Sequence, residues 1–219
     1  MNILAIGSHP DDIELGCAGL FLSALHSTSK PKISFLVLTA GDLHPELHDV
    51  RIAEQEAAIK MLSSEISLYQ GTMTDAKLDQ DYKGLVNVIE NAIKETEADA
   101  IFTHSRNDTH HDHRAVYEAS VEAGRLVKSI FSYEESISMN FNPQWYHDIS
   151  KYVEKKIEVL SKHESQKEKI SLRPIAIRAL AKYRANQYQL LSRFNEFEIV
   201  YAEAFEVIKL GSNFTFLKR

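Results

Sequence analysis

Two short polar stretches contain residue types that can bind a metal ion and transfer protons. SHPDD (residues 8–12) contains a histidine and two adjacent aspartates, and HHDH (residues 110–113) contains three histidines and an aspartate. Imidazole and carboxylate are common zinc ligands, and a catalytic zinc usually has three protein ligands and one open position. If the fold brings the two stretches together, they predict a hydrolytic metal centre.

The spacing within the stretches predicts different roles for neighbouring residues. His9 and Asp12 can lie on one side of a turn, and His113 can complete a three-ligand set from the other stretch. Asp11 and His110 would then be free to act as a proton-transferring carboxylate and a donor to an oxyanion, as amide hydrolysis requires. The simpler alternative is that Asp11 or Asp12 only caps a helix.

The surrounding pattern predicts an α/β protein. Apolar runs typical of buried strands cover residues 2–7, 32–38, 65–69, 99–104 and 127–133, and segments with helical periodicity cover residues 14–26, 50–62, 82–97 and 115–126. This alternation indicates a Rossmann-like three-layer α/β/α sandwich with a mostly parallel sheet. Ligands bind at the carboxyl ends of such strands, which is where both polar stretches fall.

The pattern is weaker after residue 134. MNFNPQWYHD (residues 139–148) is typical of a loop, residues 149–162 and 174–191 favour helices, and residues 200–210 favour a strand followed by a loop. No repeat or linker interrupts the sequence, so we expect a single domain over residues 1–219.

Composition excludes some functions. The 219 residues include 25 Lys and Arg and 31 Asp and Glu, a net charge of −6, which argues against binding nucleic acid through a broad basic surface. Cys17 is the only cysteine, so no intrachain disulfide can form. No signal sequence or apolar run of about 20 residues is present. We expect a cytoplasmic protein with no nucleic-acid or membrane partner.

The motifs resemble those of a known family. SHPDDIELGCAG and THHDHRA are similar to the paired motifs of the PIG-L/LmbE-like zinc-dependent N-acetylglucosaminyl de-N-acetylases. TAGDL, RIAEQEAAIKML, FNPQWYHDISKYVEKKIEVLSKHESQ and YAEAFEVIK resemble further segments of the bacterial sugar de-N-acetylase branch, so the resemblance covers nearly the whole chain. It implies removal of the N-acetyl group from an acetylated amino sugar or its conjugate.

Carried over by position, the resemblance implies that His9, Asp12 and His113 bind Zn²⁺, or Fe²⁺ in vivo. It implies that Asp11 acts as general base and then as general acid, and that His110 stabilises the oxyanion as an imidazolium.

The resemblance also implies supporting residues. Arg51 would reach the substrate pocket, and Asp112 would lie behind a histidine and orient it. Ser8 and His111 depart from the commonest motifs, and His111 receives no role. Members of the family often assemble as trimers or hexamers, so we expect a homo-oligomer.

Other residues allow both functional and structural interpretations. Arg51 could instead form surface ion pairs, and Trp145 could stack on a sugar or pack in the core. Asp42 could line the site or shape a turn, and Asp108 could orient the histidine loop or stabilise its turn. Arg106 could bind a substrate phosphate. We predict a solvated lysine-rich face, formed by Lys155, Lys156, Lys162, Lys167 and Lys169. We also predict three exposed histidines, namely His44, His48 and His147.

Three other functions are compatible with parts of the sequence. A receiver-like signalling domain also has an acidic pair after its first strand, but the histidines would then have no role. A metal-dependent hydrolase of another bond is a further alternative. A nucleotide dehydrogenase is disfavoured because no GxGxxG follows the first strand.

Overall fold

A seven-stranded sheet forms the centre of the described chain. The computed structural model describes residues 1–41, 45–192 and 198–212. The sheet order is β3-β2-β1-β4-β5-β7-β6, and only β7 runs antiparallel to its neighbours β5 and β6. The strands are β1 Asn2–Gly7, β2 Lys32–Val37, β3 Ser67–Gln70, β4 Ala100–Thr103, β5 Ser129–Tyr133, β6 Trp145–Asp148 and β7 Ala202–Lys209.

Helices cover both faces of this sheet. They are α1 Asp12–Leu25, α2 His48–Leu62, α3 Tyr82–Thr96, α4 His111–Ala123, α5 Val153–Leu160 and α6 Pro174–Leu191. Alternate residues of β1 point to opposite faces, so Ile3 packs in the cluster of α1 and α2, whereas Leu4 packs in the cluster of α3 and α4. The predicted three-layer α/β/α sandwich with a mostly parallel sheet is therefore confirmed.

Three helices begin earlier than the apolar periodicity predicts. α1 begins at Asp12 rather than at residue 14, α2 at His48 rather than at residue 50, and α4 at His111 rather than at residue 115. Of the residues added at these helix starts, only Ile13 is apolar. The first turns therefore lack the apolar pattern from which the helix starts were predicted.

The C-terminal third differs more from the prediction. MNFNPQWYHD contains the short edge strand β6, and residues 149–162 form only the helix α5 after a turn at Ile149. Four residues at the sheet edge give too little alternation to indicate a strand. The predicted strand near residue 200 is present as β7.

The carboxyl ends of the parallel strands place several loops side by side. In register, Gly7 of β1 lies beside Val37 of β2, and Val37 lies beside Gln70 of β3. The two polar stretches follow the adjacent strands β1 and β4. Within the described residues, no helix is long and apolar enough to span a bilayer.

Candidate active site and metal centre

The turn between β1 and α1 places the two adjacent aspartates in different surroundings. Asp11 has φ 99° and ψ −24°, a left-handed conformation that costs a non-glycine residue about 1–3 kcal/mol. Asp11 occupies the N-cap position, but its side chain makes no capping hydrogen bond. Helix capping therefore does not explain this residue. The two carboxylates have different partners, because Asp11 contacts Lys169 whereas Asp12 lies near the imidazoles of His9 and His113.

Asp12 lies between two imidazoles from different parts of the chain. Its Oδ2 atom is 3.5 Å from His9 Nδ1 and 3.6 Å from His113 Nε2. Ligand atoms around a tetrahedral zinc, each about 2.0–2.2 Å from the ion, lie roughly 3.3–3.6 Å apart. Burial would raise the pKa of Asp12, but the charge of His113 and the nearby imidazoles of His104 and His9 hold it well below its usual value. The donor set fits a metal ion.

The outer ring nitrogens of both imidazoles face carboxylates. His9 Nε2 is 2.9 Å from Asp75 Oδ1 and 3.3 Å from Asp112 Oδ2. Burial would lower the pKa of His9, but these carboxylates and Asp12 raise it well above the usual value. Such carboxylate contacts orient metal-binding histidines and increase their basicity.

His113 has a similar arrangement on the other side. Its Nδ1 atom is 3.3 Å from Asp108 Oδ1 and 3.6 Å from Glu135 Oε1. Asp108 also accepts a hydrogen bond from the His110 backbone N–H, so it both shapes the turn and faces the imidazole. Sequence reasoning missed Asp75 and Glu135, because neither belongs to a recognisable motif.

His104 supports the centre from β4. Its ring stacks on that of His113 with centroids 4.0 Å apart, and its Nε2 atom accepts a hydrogen bond from the Ser8 N–H at 2.9 Å. The proton therefore lies on Nδ1, which faces Glu135 Oε1 at 2.8 Å. Asp12, His104, His113 and Glu135 also form a buried cluster with potential ligand atoms within 4.8 Å of one another. Because the Nε2 lone pair of His104 already accepts from Ser8, His104 fits a positioning role better than a ligand role.

Asp11 lines the cavity described below and contacts a lysine. Lys169 Nζ donates to Asp11 Oδ2 at 2.8 Å. Lys169 lies in a segment that we call the strap, residues 163–173, which is also held through hydrogen bonds from Ser165 to Glu54 of α2. Lys169 is exposed, as predicted for a solvated face, but it also contacts Asp11, which periodicity does not indicate.

His110 lies at the start of α4 and beside the metal ligands. Its Nδ1 atom accepts from the Asp112 N–H at 3.3 Å, which leaves the ring proton on Nε2. Burial and the positive charges of His113 and His9 lower the pKa of His110 to about 4. This environment favours the neutral imidazole over the imidazolium that the resemblance implies.

Arg51 is buried and its guanidinium binds the backbone. Nη1 donates to Gly41 O at 2.7 Å, and Nη2 donates to Pro10 O at 3.0 Å. A surface ion-pair role is therefore excluded, and the residue lines the cavity described next.

A cavity of about 310 Å³ opens onto these groups. This volume is within the range of small-molecule sites. The strap forms one wall through Gln166, Lys169, Ser171 and Leu172, while Leu15, Leu47 and Ile137 add apolar surface. Asp42, a candidate site residue, and His44, predicted to be exposed, both lie outside the described residues.

Several other predictions concern residues away from this cavity. Trp145 packs on Phe131 and Phe205 with ring centroids 5.2 Å and 4.8 Å apart, which is a core role. Arg106 is exposed and does not line the cavity. His147 is buried, which contradicts its predicted exposure.

Lys156 is also buried rather than solvated. Its Nζ atom donates to Glu203 Oε1 at 2.7 Å and to Leu15 O at 2.5 Å. The helix α5 turns this lysine towards α1 and β7, which its charge alone did not indicate.

Comparisons with known proteins agree with the fold and the motifs. The model of the family PIG-L, GlcNAc-PI de-N-acetylase, matches residues 4–124. The Escherichia coli (strain K12) protein named "uncharacterized deacetylase YaiS" is 34% identical over 170 residues, which cover 75% of this chain and 91% of that protein.

Solved structures share the fold at low sequence identity. GalB, the 4-carboxy-2-hydroxymuconate hydratase from Pseudomonas putida KT2440, has a TM-score of 0.81 and 18% identity, covering 98% of this chain and all of the other. The N,N'-diacetylchitobiose deacetylase from Pyrococcus horikoshii has a TM-score of 0.76 and 19% identity, covering 94% and 83% of the two chains. The resemblance found in the motifs is thus confirmed, and the chain belongs to the PIG-L (GlcNAc-PI de-N-acetylase) family.

Proposed function

We propose that this protein, a member of a deacetylase family, uses a divalent metal ion to hydrolyse the N-acetyl group of an amino sugar or its conjugate. The observation that carries the proposal is the division between the adjacent aspartates. Asp12 lies among imidazole nitrogens, whereas Asp11 faces the cavity and Lys169. One carboxylate can bind a metal while the other stays available for proton transfer.

His9, Asp12 and His113 would hold the metal. We propose Zn²⁺, because two imidazoles and one carboxylate form a typical catalytic zinc set, and Fe²⁺ is the second candidate because similar ligands also suit it. A bound metal would polarise the amide carbonyl and lower the pKa of water in the site. Asp75, Asp112, Asp108 and Glu135 would orient the two imidazoles.

Proton transfer is assigned to Asp11. Its carboxylate would take a proton from the attacking water and give it to the nitrogen of the leaving amine, so that acetate and a free amine are released. His110 would donate the Nε2 hydrogen to the developing oxyanion, a role that its neutral form can fill. Lys169 would hold the Asp11 carboxylate towards the cavity.

The substrate class rests on relatives and on the cavity. Solved structures with this fold include deacetylases of N,N'-diacetylchitobiose and of teicoplanin, whose names indicate acetylated substrates. The cavity combines polar groups with the apolar surface of Leu15, Leu47 and Ile137, which suits a sugar that has one polar edge and one apolar face.

Other reactions are less well supported. A receiver-like domain does not fit membership of a deacetylase family. No group in this site specifically favours hydrolysis of another bond. GalB shares the fold and is named as a hydratase, but no group in this site specifically favours hydration. Assembly into trimers or hexamers and the single domain over residues 1–219 stay predictions.

Acetate release from a panel of N-acetylated sugars, oligosaccharides and nucleotide sugars would test the proposal. The metal-loaded protein should release acetate and expose a primary amine in equal amounts. Asp11→Asn should retain the metal and lose about 10²–10⁴-fold in kcat, whereas Asp12→Asn should lose both metal and activity.

An exposed aspartate provides the matched control. Asp49→Asn makes the same chemical change outside the cavity and should leave both metal content and kcat unchanged. Acetate release by Asp11→Asn at the rate of the unmodified protein would show that Asp11 is not the base.

A further inference from the structure

One peptide group, between Pro10 and Asp11, is held at both of its polar ends by side chains of α2. Its C=O accepts from Arg51 Nη2 at 3.0 Å, and its N–H donates to Gln55 Oε1 at 3.2 Å. Arg51 and Gln55 are four residues apart and therefore lie on the same face of the helix. Arg51 is only 6% exposed and Gln55 is fully buried.

Each of the two side chains is itself fixed by another contact. Gln55 Nε2 donates to the buried Glu14 Oε1 at 2.6 Å, which sets the orientation of its amide so that the oxygen faces Asp11. Arg51 Nη1 donates to Gly41 O, and a Cβ atom at Gly41 would lie 1.7 Å from that nitrogen. Both groups thus arrive at the peptide in a defined orientation.

The orientation of this peptide is linked to the conformation of Asp11. The φ angle of Asp11 is the rotation of that residue relative to the plane of the preceding peptide. An aspartate seldom occupies a φ of 99°, so the conformation persists only if the surroundings hold it. The same conformation separates the Asp11 carboxylate from that of Asp12.

We infer that Arg51 and Gln55 form a peptide clamp that holds Asp11 in its left-handed conformation and so aims its carboxylate at the reacting atoms. Both are positioning residues for the reaction, and this inference rests on the proposed function for its kinetic consequences. It gives Arg51 a role different from the substrate contact that the resemblance implies, and it assigns a role to Gln55, which the sequence did not single out.

A buried apolar residue would suffice if α2 only packed against α1. Ile59, one turn further along α2, makes such a contact in the core. Burying an amide and a guanidinium is costly unless each is hydrogen-bonded. Here the hydrogen bonds go to the peptide of the proposed base and to the groups that orient the clamp, which supports a role in placing Asp11.

Gln55→Leu tests the clamp with a side chain of similar size. We expect kcat for acetate release to fall on the order of 10²-fold, as for a small displacement of a catalytic group, with KM and metal content unchanged. In crystals of the variant, Asp11 should leave the positive φ region. Ile59→Ala is the control, because it should lower the melting temperature while kcat is retained.

An exchange variant keeps the test decisive if Gln55→Leu folds poorly. In E14Q/Q55E, the residue 55 carboxylate can accept from the Asp11 N–H and from the residue 14 amide, so kcat and the Asp11 conformation should return close to those of the unmodified protein. Gly41→Ala disturbs the Arg51 side of the clamp independently and should lower kcat in the same way.

Two results would overturn the inference. One is a positive φ at Asp11 and unchanged kcat in Gln55→Leu, and the other is an equal loss of kcat in Ile59→Ala. If the unmodified protein releases acetate from no substrate, the proposed function fails. The Asp11 conformation in Gln55→Leu crystals would still decide whether the clamp exists.

Discussion

Asp112 offers the clearest measurement of how the metal centre is supported. Its Oδ2 atom accepts from the Ala76 N–H at 2.8 Å and lies 3.3 Å from His9 Nε2, while its Oδ1 atom accepts from the Leu78 N–H at 3.1 Å. The side chain is fully buried. Burial would raise the pKa of Asp112, but hydrogen bonds from His9, Leu78 and Ala76 lower it, so the charged form is favoured.

Asp112→Asn removes one of the two acceptor oxygens. At least one of the three donors then faces an NH₂ group, and an unpaired buried donor costs about 1–3 kcal/mol of unfolding free energy. Loss of the carboxylate behind a metal-binding histidine typically reduces metal affinity about 10–100-fold, which corresponds to roughly 1.4–2.8 kcal/mol of binding free energy.

Chelator competition with Zn²⁺ would measure the affinity, and urea unfolding of the metal-free protein would measure the stability. Glu56→Gln, at an exposed position of α2, also replaces a carboxylate with an amide and should change neither by a comparable amount. If Asp112→Asn lowers the unfolding free energy but binds Zn²⁺ as tightly as the unmodified protein, then Asp112 holds only residues 76–78 and the assigned support of His9 is refuted.

Three further predictions address the strap, pH and packing. Lys169→Met should lower kcat for acetate release but change the unfolding free energy by no more than about 1 kcal/mol, because the lysine side chain is 43% exposed; equal kcat in the two proteins would contradict its contact with Asp11. Burial lowers the pKa of His163, so below about pH 6.5 the unfolded state binds a proton that the folded state does not, and stability falls as pH falls. His163→Leu should remove this contribution. The unfolding free energy of the variant minus that of the unmodified protein, both metal-free and measured by urea unfolding, should therefore increase from pH 7 to pH 5. A difference that does not change with pH would refute the effect assigned to His163. Gly16→Ala would place a Cβ atom 2.3 Å from the buried Tyr133 ring and should lower the free energy of unfolding by about 1–3 kcal/mol or more. The melting temperature should fall by about 2–4 °C per kcal/mol. An unchanged melting temperature would contradict this packing.

The motifs predicted that two polar stretches of the chain would meet. His9, Asp12 and His113 lie together because β1 and β4 are adjacent and parallel, so the residues after each strand meet at one edge. The sequence predicted that both stretches follow strands. It could not establish that these two strands are neighbours, because strand order depends on contacts between distant segments.

The supporting groups were harder to predict. Asp75 and Glu135 follow β3 and β5 in segments without a motif, and each contacts a histidine far away in the chain. Lys156 and Lys169 were assigned to a solvated face because charge usually indicates solvent. The structure buries Lys156 against Glu203 and brings Lys169 to Asp11, since packing and not composition decides which face of a segment is covered.

The sequence by itself determined the fold class, the family and the types of residue available for chemistry, because strand periodicity and the two motifs are local properties of the chain. The tertiary structure decided how those residues divide their roles. The left-handed backbone of Asp11 separates it from Asp12, and that conformation depends on Arg51 and Gln55, more than forty positions beyond the turn. Contacts between segments so far apart in the chain exist only after the sheet and its helices have assembled.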